Sequence, residues 1–274
     1  MTLNIGILFG DQDNPFWQEQ VYWYKQLLPG FPFNAEIFFP EHARDAQCQA
    51  HLFAELLERN FDALIINPLN GIALADTLRS SCAETMVFDV GPKLIPELTA
   101  GLKNYVPLRV TDFFQQGWLC VKELIRHIGS NGPFAFICGP EGTQQSAGRI
   151  KGAEAAAADS QFSLLPPVCG GFTREGGRDA MSKLLAQTPC AVFCANDLMA
   201  LGALDVLGEH GIVLPVGGVD LIPDAIASVK AGGMTATVGP RGEDIVRGVL
   251  RSVERCINTG ELPDGYLAEN ILVA

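Results

Sequence analysis

Short apolar runs alternate with longer amphipathic segments along the whole chain. Residues 4–9 (NIGILF), 35–39 (AEIFF), 62–66 (DALII) and 85–89 (TMVFD) read as strands. Residues 16–28, 42–60 and 71–83 read as the helices that follow the first three of them, with Leu52, Phe53, Leu56 and Leu57 at helical spacing in the second. After a less regular stretch at 91–111 the pattern resumes with helix 112–129, strand 133–138, helix 145–158, strand 163–169 and helix 174–187. Strand 190–194, helix 197–210, strand 214–219, helix 223–231, helix 241–258 and a final strand near 267–273 close the chain. Alternation of this kind predicts α/β architecture with parallel sheets, because a chain that returns parallel to itself needs a helix-length crossover. The spacing gives two successive doubly wound units of about 110 and 130 residues, with soft boundaries near 105–112 and 236–240.

Ligands of open parallel α/β sheets bind beyond the carboxyl ends of the strands, where loops present side chains and helix N-termini together. Polar residues collect there. After the first strand comes Gly10-Asp11-Gln12-Asp13-Asn14-Pro15-Phe16-Trp17, after the third Asn67-Pro68, and the fourth ends in Asp89. In the second unit the corresponding positions hold Gly142-Thr143 and then Arg149, Phe172, Asn196-Asp197 and Asp220. Planar amide, carboxylate and guanidinium groups pair with vicinal hydroxyls, and Phe and Trp faces pack on the C–H faces of a ring, so the set suits a small polyhydroxylated ligand such as a sugar. Each residue also has a plainer reading. Asn196 is placed to cap a helix, Asn67 to shape a turn before proline, and Asp89 and Asp220 to cap helices or bind loop amides. Phe16, Trp17 and Phe172 can be packing residues, and Arg149 a solvated or ion-paired one.

Composition narrows the classes. The 274 residues are 48% hydrophobic and 18% charged, with mean hydropathy +0.19, which excludes global disorder. No apolar run approaches the roughly 18 residues of a membrane span. The N-terminus has no basic segment followed by an apolar stretch, so no signal peptide is expected within this chain. A net charge of -12 and a pI near 4.7 repel phosphate backbones, and no nucleic-acid partner is expected.

Catalytic and cofactor signatures are missing. G-x-x-x-x-G-K-[ST], G-x-G-x-x-G, G-x-S-x-G and H-E-x-x-H do not occur, and the Gly-rich segment 170–177 lacks the Lys-Ser/Thr of a phosphate loop. His42, His51, His127 and His210 stand apart on helices or their ends. Eight cysteines (48, 82, 120, 138, 169, 190, 194, 256) lack paired spacing. Cys190 and Cys194 on one strand lie about 13 Å apart, too far to share a metal. All eight are expected to be structural thiols, a usage that fits a reducing compartment. No enzyme activity, metal or cofactor is expected.

Taken in order, DNPFW (13–17), LIINP (64–68), Asp89, RIKG (149–152), CANDLMALGAL (194–204), GGVDLIPDAIASVKAG (217–232) and MTATV (234–238) carry a resemblance across essentially the whole chain. It resembles the type I periplasmic binding proteins of the ribose-binding type, whose two-lobed fold is shared with effector domains of lactose-repressor-family regulators. The resemblance implies three hinge crossings, with one lobe of residues 1–108 plus 240–265 and another of 109–239 plus 266–274. It implies ligand contacts from Asn14, Phe16, Trp17, Asn67 and Asp89 in the first lobe and from Arg149, Phe172, Asn196 and Asp220 in the second. Val90 and Pro240 stand where ribose binders often carry arginine and glutamine, which points to another pentose, hexose, polyol or related compound. The ligand would bridge both lobes and shift the population toward closure. The expected function is the solute-binding component of an ABC importer for a carbohydrate, a periplasmic monomer that meets a membrane permease. The alternatives are a lactose-repressor-family effector domain without its DNA-binding headpiece, a cytoplasmic protein favoured by the cysteines, or a sensor input domain.

Overall fold

In the computed structural model, residues 2–81, 83–91, 96–128, 132–158, 162–261 and 265–274 are described. In chain order the first elements are β1 (Leu3–Leu8), α1 (Pro15–Leu27), β2 (Phe33–Phe38), α2 (Ala46–Leu57), β3 (Ala63–Ile66), α3 (Gly71–Ser80), β4 (Met86–Asp89), α4 (Pro96–Thr99) and β5 (Tyr105–Pro107). Then come α5 (Phe113–His127), β6 (Phe134–Cys138), α6 (Gln144–Ala158), β7 (Val168–Cys169), α7 (Arg174–Leu184), β8 (Ala191–Cys194) and α8 (Asp197–Glu209). Last are β9 (Val216–Val219), α9 (Pro223–Lys230), β10 (Ala236–Gly239), α10 (Gly242–Thr259) and β11 (Ile271–Val273). The chain divides into one unit of Met1–Thr111 with Gly242–Ala268 and another of Asp112–Arg241 with Glu269–Ala274, so it passes from one to the other three times.

The first unit holds a parallel sheet in the order β2-β1-β3-β4-β5. Strand β3 is buried along its length, and β1 and β4 are buried except at Asn4 and Met86, as sheets covered on both faces must be. On one face α10 lays Ile245, Val246, Val249, Leu250 and Val253 at helical spacing onto Ile5, Ile7, Phe9, Ile65 and Phe88. On the other face α2 and α3 contribute Phe53, Leu56, Leu57, Leu74 and Leu78 against Leu8, Leu64 and Ile66. Each fully buried side chain of this size contributes about 1.5–3 kcal/mol by leaving water.

The second unit repeats the order: β7-β6-β8-β9-β10, with β11 added antiparallel beyond β10. In both units the strand order therefore reverses beside the first strand, at β1/β3 and at β6/β8. Local chemistry fixes where the helices begin. Side chains of Asn14, Asp45, Asn70, Asp112, Thr173 and Asn196 accept first-turn backbone N–H groups of α1, α2, α3, α5, α7 and α8.

Three readings of the sequence are corrected. The strand expected over 163–169 shrinks to Val168–Cys169 plus one bridge at Leu164, because Pro166 and Pro167 have no N–H to donate to a ladder. The helix expected from 42 begins only at Ala46, where Asp45 takes the amides of Gln47 and Cys48. Residues 236–239 and 105–107, not anticipated as strands, extend the two sheets. Cys82 lies outside the described residues.

One packing contact sets the second unit's geometry. Helices α5 and α6 meet backbone to backbone, since a Cβ at Gly117 would lie 1.9 Å from the Arg149 carbonyl oxygen and one at Gly152 would lie 1.9 Å from that of Phe114. Neither acceptor is a side chain that can swing away. Gly117→Ala is therefore expected to cost about 2–3 kcal/mol, read as a lower urea midpoint; an unchanged midpoint would mean that the helices separate freely.

Candidate functional site

The first unit brings its predicted residues to the ends of three adjacent strands. Leu8, Ile66 and Asp89 stand in one register row across β1, β3 and β4, so the segments that follow them are neighbours. Asn14 caps α1 through Oδ1, which accepts the Phe16 amide at 3.0 Å. Phe16 and Trp17 are half-buried against the unit's core, their rings 4.9 Å apart, and Trp17 lies 5.7 Å from the buried ring of Phe9. Asp89 is fully buried and accepts from the Gly91 amide at 3.1 Å and from the Tyr105 hydroxyl at 2.9 Å. Burial, then the Asp89 charge, holds the Tyr105 hydroxyl protonated far above its ordinary range.

Asn67 differs from its neighbours. Its backbone is anchored: the amide donates to Leu8 O at 3.0 Å, and the carbonyl accepts from Gln49 Nε2 at 2.9 Å. Its side chain is buried, with 4% of the residue exposed, and both Oδ1 and Nδ2 lack a hydrogen-bond partner. An unpaired buried amide costs about 1–3 kcal/mol, and a packed interior rarely leaves one so.

In the second unit the four predicted residues form one connected set. Arg149, on α6, is 6% exposed and donates through Nε to Gln116 Oε1 at 2.8 Å, through Nη1 to Ala195 O at 2.7 Å and through Nη2 to Asp220 Oδ1 at 2.8 Å. Its guanidinium carbon also stands 5.7 Å from the centre of the Phe113 ring. Asn196 caps α8 by accepting the Met199 amide at 3.0 Å, and its Nδ2 donates to Phe172 O at 3.2 Å. Phe172 has φ +62° and lays its ring where a Cβ on Gly139 would stand. Asp220 and Leu221 also have positive φ, at +124° and +60°. Strained backbone gathered at the ends of strands is the pattern of a site that fixes side chains in place.

Two members of this set, Gln116 and Asn270, lie outside the motifs quoted from the sequence. Gln116 is fully buried and passes the network on, its Nε2 donating to Asn270 Oδ1 at 3.0 Å, while Asn270 Nδ2 donates to Asp112 O at 2.9 Å. Gln116 was legible as a polar residue on the buried stripe of α5, beside Gly117, Cys120, Val121 and Leu124. Nothing in the irregular tail marked Asn270. Asp197, adjacent to Asn196, is fully buried and accepts from Thr237 Oγ1 at 2.7 and 2.9 Å and from the Ile222 amide at 3.0 Å. Burial, then the charge of Asp220, pushes its carboxyl up to about 7. Burial raises Asp220 too, against the lowering effect of Arg149. In the first unit Asp11 pairs with Arg44 at 2.6 Å, and Gln49 holds Asn67 and the Leu69 amide. Among the described residues no group of three or more His, Cys, Asp or Glu is arranged to hold a metal ion.

Comparison with known proteins adds an independent line. A family model described as a periplasmic binding protein domain matches residues 5–261. The D-allose-binding periplasmic protein of Escherichia coli is 28% identical over 275 residues, which cover 95% of this chain and 88% of that protein. The transcriptional repressor PurR of Aliivibrio fischeri is 28% identical over 227 residues, which cover 78% of this chain and 62% of the repressor. The crystal structure of an ABC transporter periplasmic solute binding protein from Actinobacillus succinogenes with bound D-allose superposes with a TM-score of 0.90. That match covers 99% of this chain and 97% of the other at 24% identity, so the likeness is one of fold.

The raised carboxyl of Asp197 has a measurable consequence. A group that binds its proton more tightly folded than unfolded stabilises the fold below its unfolded value of 3.8, and that stability is lost as pH rises toward about 7. Asp197→Asn keeps an acceptor for Ile222 and a donor for Thr237 but does not titrate. Urea midpoints are expected to fall between pH 4.5 and 7.5 in the wild type and to fall less in the variant; parallel declines would show that Asp197 is ionised throughout.

Proposed function

The chain belongs to the periplasmic binding protein domain family, and from that premise we propose that it is the solute-binding component of an ABC importer. Its ligand is a small, uncharged sugar or sugar-like polyol. The observation that carries this reading is the Asn67 side chain, buried at a strand end with both polar atoms unpaired, where a hydroxyl can both donate and accept. The named E. coli relative binds D-allose, which supports a monosaccharide-sized ligand. Charge supports it further. Asp11 is paired with Arg44 and Asp220 with Arg149, so these two carboxylates are already matched by a cation.

Asn14, Phe16, Trp17, Asn67 and Asp89 supply the first unit's contacts, and Arg149, Phe172, Asn196 and Asp220 the second's. The amides, the carboxylates and the guanidinium pair with hydroxyls while the aromatic rings pack on the sugar's C–H face. Val90 is buried and apolar, and Pro240 has no N–H, so neither adds a donor. That favours a ligand other than ribose. The protein binds and does not transform its ligand, works as a monomer in the periplasm, and delivers to a membrane permease. A second reading, a ligand-sensing effector domain in the cytoplasm, is favoured by the unpaired spacing of the cysteines and by the repressor relative. Osmotic-shock fractionation of the source cells separates the two, since only the importer component leaves with the periplasmic fluid.

A thermal-shift panel of pentoses, hexoses, polyols and cyclitols, D-allose included, is expected to raise the melting temperature with at least one member; no shift across the panel, or turnover of any member, overturns the reading. Asn67→Ala is expected to weaken binding of that member by about 1–3 kcal/mol in titration calorimetry. The same variant removes an unpaired buried amide, so the unliganded protein should lose no stability. Lost stability with unchanged affinity would make Asn67 a structural residue.

A further inference from the structure

Two cysteines stand apart from the other thiols. Cys138 ends β6 and Cys169 ends β7, and the two are direct register partners in adjacent parallel strands. Directly paired residues of neighbouring strands point to the same face, about 4.8 Å apart, close to the Cβ separation of about 3.5–4.5 Å that a disulfide needs. The strand that must move is the sheet's edge, only two residues long, and it is preceded by two prolines that make no ladder bonds. Cys169 is exposed and Cys138 partly so, while Cys120, Cys190, Cys194 and Cys256 are buried. Cys169 Sγ already leans toward β6, donating to Gly139 O at 3.5 Å. The Cys138 thiol is raised first by burial and then by the neighbouring Cys169.

We propose that Cys138 and Cys169 are a redox-active dithiol, oxidised to a disulfide by exchange with a low-molecular-weight disulfide of the glutathione class. The exposed Cys169 thiolate attacks one sulfur of the incoming disulfide and releases one thiol, leaving a mixed disulfide. The Cys138 thiolate then attacks Cys169 Sγ and releases the second thiol. Two protein thiols are oxidised, one external disulfide is reduced to two thiols, and the two cysteine protons pass to the leaving thiolates. The bond closes the β6–α6–β7 segment that carries Arg149 and pins the chain three residues before Phe172. It joins the residue before Gly139 to the residue before Gly170, whose amide already donates to Cys138 O at 2.9 Å.

The test uses the full chain incubated with oxidised glutathione, alkylated and digested with trypsin under non-reducing conditions. The expected product joins the peptide of residues 127–149 to that of 152–174, lighter by two hydrogen atoms than the separate peptides, and dithiothreitol restores both. In Cys138→Ser a glutathione adduct is expected to persist on Cys169. Stable glutathione adducts on both cysteines of the wild type, bonds from either to a third cysteine, or no reaction at Cys169 would each overturn the proposal.

Discussion

A guanidinium removed from water must be surrounded by acceptors, and the second unit is arranged around that requirement. Arg149 draws on α5 through Gln116, on the end of β8 through the Ala195 carbonyl, and on the end of β9 through Asp220. Burying such a pair stabilises little by itself, but breaking it leaves a stranded charge that costs about 3–5 kcal/mol. Its partners are therefore mutually dependent. The glycine contacts of α5 with α6 place the arginine at the right depth, and Gln116 extends its reach to Asn270 in the last segment of the chain. The result is a rigid platform whose exposed edge consists of hydrogen-bonding groups already fixed in orientation.

Asn67 is the complementary case. The fold anchors its backbone through Leu8 and Gln49 yet leaves the side chain unpaired. Stability alone would favour an apolar residue there. Positive φ at Phe172, Asp220 and Leu221 belongs with it, because each is a local strain that the surrounding structure holds in place where strands end. Groups whose orientation is set before a ligand arrives bind with less loss of conformational freedom.

Much of the architecture was legible because parallel α/β sheets write a strong signal: buried runs of β-branched residues, then amphipathic helices opened by Asn, Asp or Thr. The signal faded where backbone chemistry overrode pattern. Apolar residues 163–169 looked like a strand, but Pro166 and Pro167 cannot pair. Residues 236–239 hid a central strand in a four-residue run beside glycine. Position after a strand identified Asn14, Asn67, Asp89, Asn196 and Asp220 as a group with shared placement, whereas their partners lay elsewhere. Gln116 and Asn270 meet across 154 residues, a contact set by tertiary packing that no local spacing encodes. Nor could sequence distinguish the anchored asparagines from the unpaired one, since that depends on which backbone amide each happens to face.

The hydrogen-bonding capacity left over after the protein has satisfied itself describes the partner it suits. Asn14 spends one acceptor position on the Phe16 amide, and Asn196 spends its oxygen on Met199 and one N–H on Phe172. Arg149 commits one N–H on each of its three nitrogens, leaving one on Nη1 and one on Nη2. Asn67 keeps both donors and its acceptor. Donors predominate among these groups, and the guanidinium hydrogens stand beside Asp220, already paired with Arg149. Within the second unit an anion would face Asp220 and a cation would meet Arg149. Hydroxyls avoid both conflicts because each accepts one bond and donates another, and a ring oxygen accepts without carrying charge. The capacity that each unit leaves over is of the kind a hydroxyl-bearing ring can meet.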